Sequence, residues 1–129
     1  MVLVPISLAQ AKKPLKFEVS GVQTPDGWIG TVDSGPLAGK TMIWYSNVVI
    51  FRHKNVYFFE EWEIWDEDTL VLAGYDEGVT VPHARATGNG IVTYVNPDYP
   101  DYTHLIGRKE HFTGFLTGPT TFEGTVQIN

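Results

Sequence analysis

The sequence predicts an all-β domain: an eight-stranded antiparallel up-and-down β-barrel with an N-terminal arm and short turns. Three observations predict it. No stretch sustains a helical apolar period, whereas strand-like alternation recurs at roughly 10–15-residue spacing. The 129 residues include 13 glycines, 13% aromatics and no cysteine, a composition of strands and turns without disulfide staples. No helix is long enough for a parallel crossover, so consecutive strands pair antiparallel. Eight strands can close around side chains or one small ligand, and closure removes the exposed edges. A two-sheet sandwich is the competing arrangement. It usually requires a long connection, and the longest non-strand stretch here is 96–105.

The elements follow in order. Residues 15–22 alternate, with Leu15, Phe17 and Val19 on one side and Lys16, Glu18 and Ser20 on the other. T-P-D-G at 24–27 places proline and glycine at the second and fourth positions of a type I turn. A short second strand at 28–33 is closed by S-G-P-L-A-G at 34–39. Residues 40–51 form a long β-branched and aromatic third strand. His53-Lys54-Asn55 turns into a fourth strand at 56–65, and Asp66-Glu67-Asp68 into a fifth at 69–75. Asp76-Glu77-Gly78 reads as a bend, with 79–82 leading on to the sixth strand at 85–95. Gly88 and Gly90 inside that strand mark a bulge, a sharp coil or a close backbone approach. N-P-D-Y-P-D-Y at 96–102, with two prolines, opens a loop that holds one helical turn near 102–105. The seventh strand is 107–117, Gly118-Pro119 turns the chain, and the eighth strand is 121–128.

Residues 1–14 stand apart as an arm or signal remnant ahead of a single domain at 15–129. The apolar run ends in Ala9-Gln10-Ala11, the small-x-small form of a signal-peptidase site. No basic residue precedes the run, Pro5 interrupts it, and Lys12 and Lys13 follow it directly. The balance favours an ordered arm and a cytoplasmic location, with secretion if Met1–Ala11 is a truncated signal. No apolar stretch reaches the roughly 18 residues of a membrane-spanning helix.

Alternation assigns the faces. Val56, Phe58, Glu60, Trp62 and Ile64 share the more apolar face of the fourth strand, which is therefore inner. Phe112, Gly114 and Leu116 share one face of the seventh, continued by Glu110, while His111 takes the other. Phe122, Gly124, Val126 and Ile128 alternate cleanly with polar residues in the eighth. The third strand is apolar on both faces, Ile43, Tyr45, Val49 and Phe51 against Met42, Trp44, Val48 and Ile50, so its orientation stays open. Its two apolar faces call for two covers: the barrel interior, and the arm or a partner subunit in a homo-oligomer, a dimer or trimer.

The chemistry is bounded first by what is absent. Lys plus Arg is 9 against 15 Asp plus Glu, a formal charge of −6, which gives no basic face for nucleic acid. There is no G-x-S-x-G, no phosphate-binding glycine loop and no H-E-x-x-H, so no metal and no cofactor is expected. Glu60, Glu61, Glu63, Asp66, Glu67 and Asp68 crowd one hairpin, which reads as a solvated end rather than a cation site. Glu60 is the exception, because its neighbours on the inner face are apolar. A carboxyl so placed has a raised pKa and can move a proton; alternatively it pairs with Arg108 or Arg85 as a structural ion pair. Glu110 invites the same two readings, and His111 replaces it if the strand's faces are reversed. Tyr45 and Tyr94 lie within strands and can aim a hydroxyl into an apolar space. The candidate catalytic residues are therefore Glu60, Tyr45 and Glu110. The candidate ligand-binding residues are Phe58, Trp62, Trp44, Tyr94, Phe112, Leu116 and Phe122. A lid over the barrel mouth by Tyr99 and Tyr102 is the less favoured reading of the proline-rich loop.

Five segments carry a resemblance over residues 41–129: F-F-E-E-W-E-I (58–64), L-V-L-A-G-Y (70–75), A-T-G-N-G-I-V (86–92), L-I-G-R-K-E-H-F-T-G (105–114) and F-E-G-T-V-Q-I (122–128). In order and spacing they resemble the allene oxide cyclase barrel superfamily, which includes dirigent proteins and spirotetronate cyclases. The resemblance implies a calycin-like barrel with a hydrophobic cavity, and ring closure achieved by holding a flexible apolar substrate in a reactive fold. No catalytic residue is carried over from it. Restricting conformers can by itself supply about 7–11 kcal/mol in favourable cases. The expected function is binding of a small apolar molecule and its cyclisation or isomerisation with limited acid–base help. The alternatives are a lipocalin-like carrier of a hydrophobic ligand, or a secreted interaction module.

Overall fold

The computed structural model describes residues 13–81 and 85–129. Eight strands form one closed antiparallel barrel in chain order: β1 (Leu15–Thr24), β2 (Gly27–Val32), β3 (Thr41–Arg52), β4 (Asn55–Asp66), β5 (Thr69–Thr80), β6 (Arg85–Val95), β7 (Lys109–Leu116) and β8 (Thr121–Ile128). β8 returns to β1, pairing from Leu15 opposite Ile128 to Val22 opposite Thr121. Closure settles the choice against a two-sheet sandwich. The arm or signal remnant, up to Lys12, lies outside the described residues, as do Pro82, His83 and Ala84.

One element differs from the sequence expectation. Asp76-Glu77-Gly78 does not bend the chain; β5 runs through it to Thr80. The helical turn is a 3₁₀ helix that begins at Pro100, where the fixed proline φ suits a first helical turn, and ends at Leu105.

Three bulges shift the ladder by one residue each, between Ser46 and Val48 on β3, at the β4–β5 ladder beside Ile64 and Trp65, and at the β5–β6 ladder beside Ala73 and Gly74. A bulge exchanges the faces of the residues beyond it. On β3, Met42 and Trp44 point inward, Asn47 is the extra residue, and beyond it Val49 and Phe51 face the interior. The strand that looked apolar on both sides therefore changes which set it buries halfway along. Val48 and Ile50 are left outside and exposed, surface of the kind expected to meet the arm or a partner.

The barrel has a sealed end and an open end. The β2–β3 loop drops Leu37 into the sealed end, and the 3₁₀ helix drops Leu105; both are fully buried with Met42, Ile64, Leu72 and Ile128. Full burial of each such side chain contributes about 1.5–3 kcal/mol. Polar contacts pin this end: the Tyr99 hydroxyl donates to Asp66 Oδ2 at 3.0 Å, Lys40 Nζ lies 3.6 Å from the same oxygen, and Asn96 Nδ2 donates to the Leu70 carbonyl at 2.9 Å. Tyr99 and Tyr102 pack here, so neither covers the open mouth. No helix among the described residues is long and apolar enough to cross a membrane.

Candidate functional site

The open end is a cup of about 760 Å³, within the usual range for small-molecule sites. Its wall comes from every second residue of the strands. Trp28, Trp44, Phe58, Phe112 and Phe122 line it, with Val49, Phe51, Val56 and Leu116 nearer the mouth. The rings set one another's orientation. Phe122 stands edge-to-face against Trp28 at 5.3 Å and against Trp44 at 5.2 Å, and Trp44 tilts against Phe112 at 5.9 Å. Edge-to-face packing is the favoured geometry for aromatic pairs, so the wall holds its shape without a ligand.

Glu60 forms part of the floor. Behind it the ladder builds a row across four strands. Glu60 on β4 pairs with Asp76 on β5, Asp76 with Gly90 on β6, and Gly90 with Glu110 on β7. Gly90 is required by the backbone itself: a Cβ there would collide with the Tyr75 carbonyl oxygen and fall 2.6 Å from Asp76 Cα. Gly88 is tight rather than forbidding, because a Cβ there would come within 3.3 Å of the Asp76 carboxyl. One layer deeper, Trp62 lies over Gly74, where a Cβ would fall 2.5 Å from the indole ring. Trp62 thus plugs the barrel beneath the carboxyls.

All three carboxyls are buried: Glu60 is 6% exposed, Asp76 0% and Glu110 1%. Neither Arg85 nor Arg108 neutralises them, contrary to the ion-pair expectation. Among the described residues the ion pair is Lys40 with Asp66 at the sealed end. Burial is the main cause that pushes the Glu60 carboxyl up to about 10, with the Asp76 charge and its hydrogen bond adding to it. Glu110 is pushed up to about 10 by burial, then by Asp76 and Glu60, and the Trp62 N–H offsets part of this. Asp76 is raised by burial but drawn back by hydrogen bonds from both glutamates. Burial and the neighbouring carboxyls thus favour the neutral acid form of Glu60 and Glu110, and burial raises Asp76 between them as well.

With all three ionised, neither oxygen of Asp76 or of Glu110 would receive an aligned donor; the Trp62 N–H points toward Glu110 without making an aligned hydrogen bond. An uncompensated buried ion costs several kcal/mol, so holding two protons is the lower-energy state. Among the described residues, no cluster of His, Asp and Glu is arranged to hold a metal ion.

The remaining site candidates sort by geometry. Phe58, Trp44, Phe112, Leu116 and Phe122 line the cup. Trp62 does not; it is fully buried below the floor. Tyr94 does not either: the bulge beside Val92 turns it to the outer face, where it is 39% exposed. Tyr45 reaches the rim of the cup, but its hydroxyl lies by Glu63 on the outer face. Slight burial and the Glu63 carboxylate raise its pKa, and it does not join the carboxyl row. His111 is exposed on the outside of β7, bonded to Asn89 Oδ1 at 2.8 Å and Thr113 Oγ1 at 3.1 Å. Asp76 is the residue that sequence reasoning missed. The alternation Leu72, Gly74, Asp76, Gly78 on one face of β5 was the available signal.

No protein-family model, no curated protein and no solved structure matches the chain.

Proposed function

We propose that this barrel binds a small apolar molecule in its cup and promotes its cyclisation or isomerisation, with Glu60 as the group that handles the proton. One observation carries the reading: a buried carboxyl with no cation beside it among the described residues forms part of the floor of an aromatic cup and is backed by two further buried carboxyls. The wall removes water from the ligand and limits its conformers, which is the larger part of the rate effect. Glu60 can then protonate a carbonyl or alkene at the floor, and the resulting carboxylate takes a proton back from a neighbouring carbon, so that mass is unchanged and the acid is restored. Asp76 and Glu110 position it and adjust its acidity.

The test uses the mass-neutral character of such reactions. Apolar polyenes and enones that fit the cup are incubated with the protein and separated by isomer-resolving chromatography. The expected result is a new peak of unchanged mass that grows with protein concentration. Binding seen by quenching of Trp28 and Trp44 fluorescence, with no new peak for any bound compound, would make the protein a carrier instead.

A further inference from the structure

The charge pattern of the cup narrows the class of ligand. Among the described residues lining it, the ionisable acidic side chains are Asp26 at the mouth and Glu60 at the floor, and no Lys, Arg or His faces it. Between these two carboxyls stand the π faces of Trp28, Trp44, Phe58, Phe112 and Phe122. Aromatic faces attract cations, most strongly where water is excluded. A cleft with one sign of charge and low-dielectric walls concentrates the opposite ion and turns away its own. Behind Glu60, Asp76 faces it from β5 and Glu110 faces Asp76 from β7; Ser46 on β3 and Gly90 on β6 occupy the rest of the row. None supplies a positive charge, so the row lacks the partner that a buried carboxylate requires.

We propose that the ligand of the cup is an apolar molecule ending in a basic nitrogen, seated with its ammonium group at Glu60 and its body along the aromatic wall. This rests on the reading of the cup as a ligand site and names the class of molecule that fits it. The exchange balances. An ammonium ion entering the cup replaces the proton on Glu60: the Oε–H bond breaks, the proton leaves to solvent, and the carboxylate pairs with N⁺–H. An amine that enters uncharged takes the same proton from Glu60 onto its nitrogen, with none released. An alkylamine is charged at pH 7, as a lysine side chain is, so the first route operates there. The proton competes with the ligand, so affinity rises with pH as long as free Glu60 stays protonated and the amine stays charged. A neutral alcohol has no such exchange, and a carboxylate meets Asp26 at the mouth and finds no cation among the described residues at the floor.

The experiment is calorimetric titration of the full chain at pH 7 in two buffers of different ionisation enthalpy. Three probes share one body: 3-(1-naphthyl)propylamine, the corresponding alcohol and the corresponding carboxylate. The amine is expected to bind at least about tenfold more tightly than the alcohol, a difference of about 1.4 kcal/mol. It is expected to release one proton per molecule bound, and the carboxylate to bind weakest. Glu60→Gln is expected to abolish both the proton release and the advantage of the amine over the alcohol. Should that variant fail to fold, the wild-type series from pH 6 to 8 decides: amine affinity climbs while alcohol affinity stays flat. An amine no tighter than the alcohol, or bound without proton release, overturns the ammonium assignment and leaves the cup a ligand site. If none of the three probes binds and the fluorescence of Trp28 and Trp44 does not move, the reading of the cup itself falls.

Discussion

Glu60→Gln is expected to leave the barrel folded and still able to take neutral apolar probes, while conversion of a turned-over substrate falls by about 10²–10⁴-fold. Glutamine matches a protonated glutamate in shape and charge, so it keeps the hydrogen bond toward Asp76 and the floor of the cup. It has no acidic proton to give. The split between binding and turnover is therefore the informative quantity. A loss confined to kcat assigns proton handling to Glu60, whereas unchanged turnover removes that role and leaves conformational restriction alone. The same variant removes one group that must ionise at high pH, so it is also expected to be more stable than the wild type above neutrality.

The second large effect is a stability that falls as pH rises. Glu60 and Glu110 hold their protons in the folded barrel up to about 10, whereas an unfolded glutamate releases its proton near its ordinary value of about 4.3. Between those limits the folded state binds more protons than the unfolded chain, so each excess proton makes unfolding easier by about 1.4 kcal/mol per pH unit. The stabilisation is complete below the ordinary glutamate range and is lost as pH climbs toward the folded value. Small domains hold only about 5–15 kcal/mol in total. With two such groups the barrel is expected to lose stability steadily as pH rises through neutrality. Urea denaturation at pH 5, 7 and 9 checks this: the midpoint should fall at each step, and Glu110→Gln should flatten the slope. A midpoint that rises from pH 5 to 7 would mean that the carboxyls are ionised in the fold.

The placement of the site explains how far the sequence could be read. Alternation is a local property, and it put Phe58, Glu60 and Trp62 on the inner face of β4, and Glu110 and Phe112 on that of β7, where the ladder has them. Register between strands is not local. From Asp66 opposite Thr69, an unbroken count would set Tyr75 across from Glu60. The bulge beside Ile64 and Trp65 shifts the ladder by one and brings Asp76 there instead. The same device turns Tyr94 outward and exchanges the buried set along β3. Each bulge depends on tertiary closure of the barrel, which no window of adjacent residues encodes. D-E-G also carries strong turn chemistry, and in β5 the pairing with β4 and β6 overrode it. The glycines could be recognised as sites of close approach. That Gly90 lets the β5 backbone come close at Tyr75 and Asp76, and that Gly88 faces the Asp76 carboxyl, became visible only once β5 and β6 lay side by side.

The proposed catalysis, the amine exchange and the alkaline loss of stability all follow from the protonation of the carboxyl row. Carbon-13 NMR of the side-chain carboxyls, with Glu60→Gln and Glu110→Gln to assign the signals, measures it residue by residue. The account predicts that Glu60 and Glu110 keep the chemical shift of the protonated acid at pH 7 and begin to move only as the barrel approaches alkaline unfolding. Signals that titrate near the ordinary glutamate value of about 4.3 would contradict it.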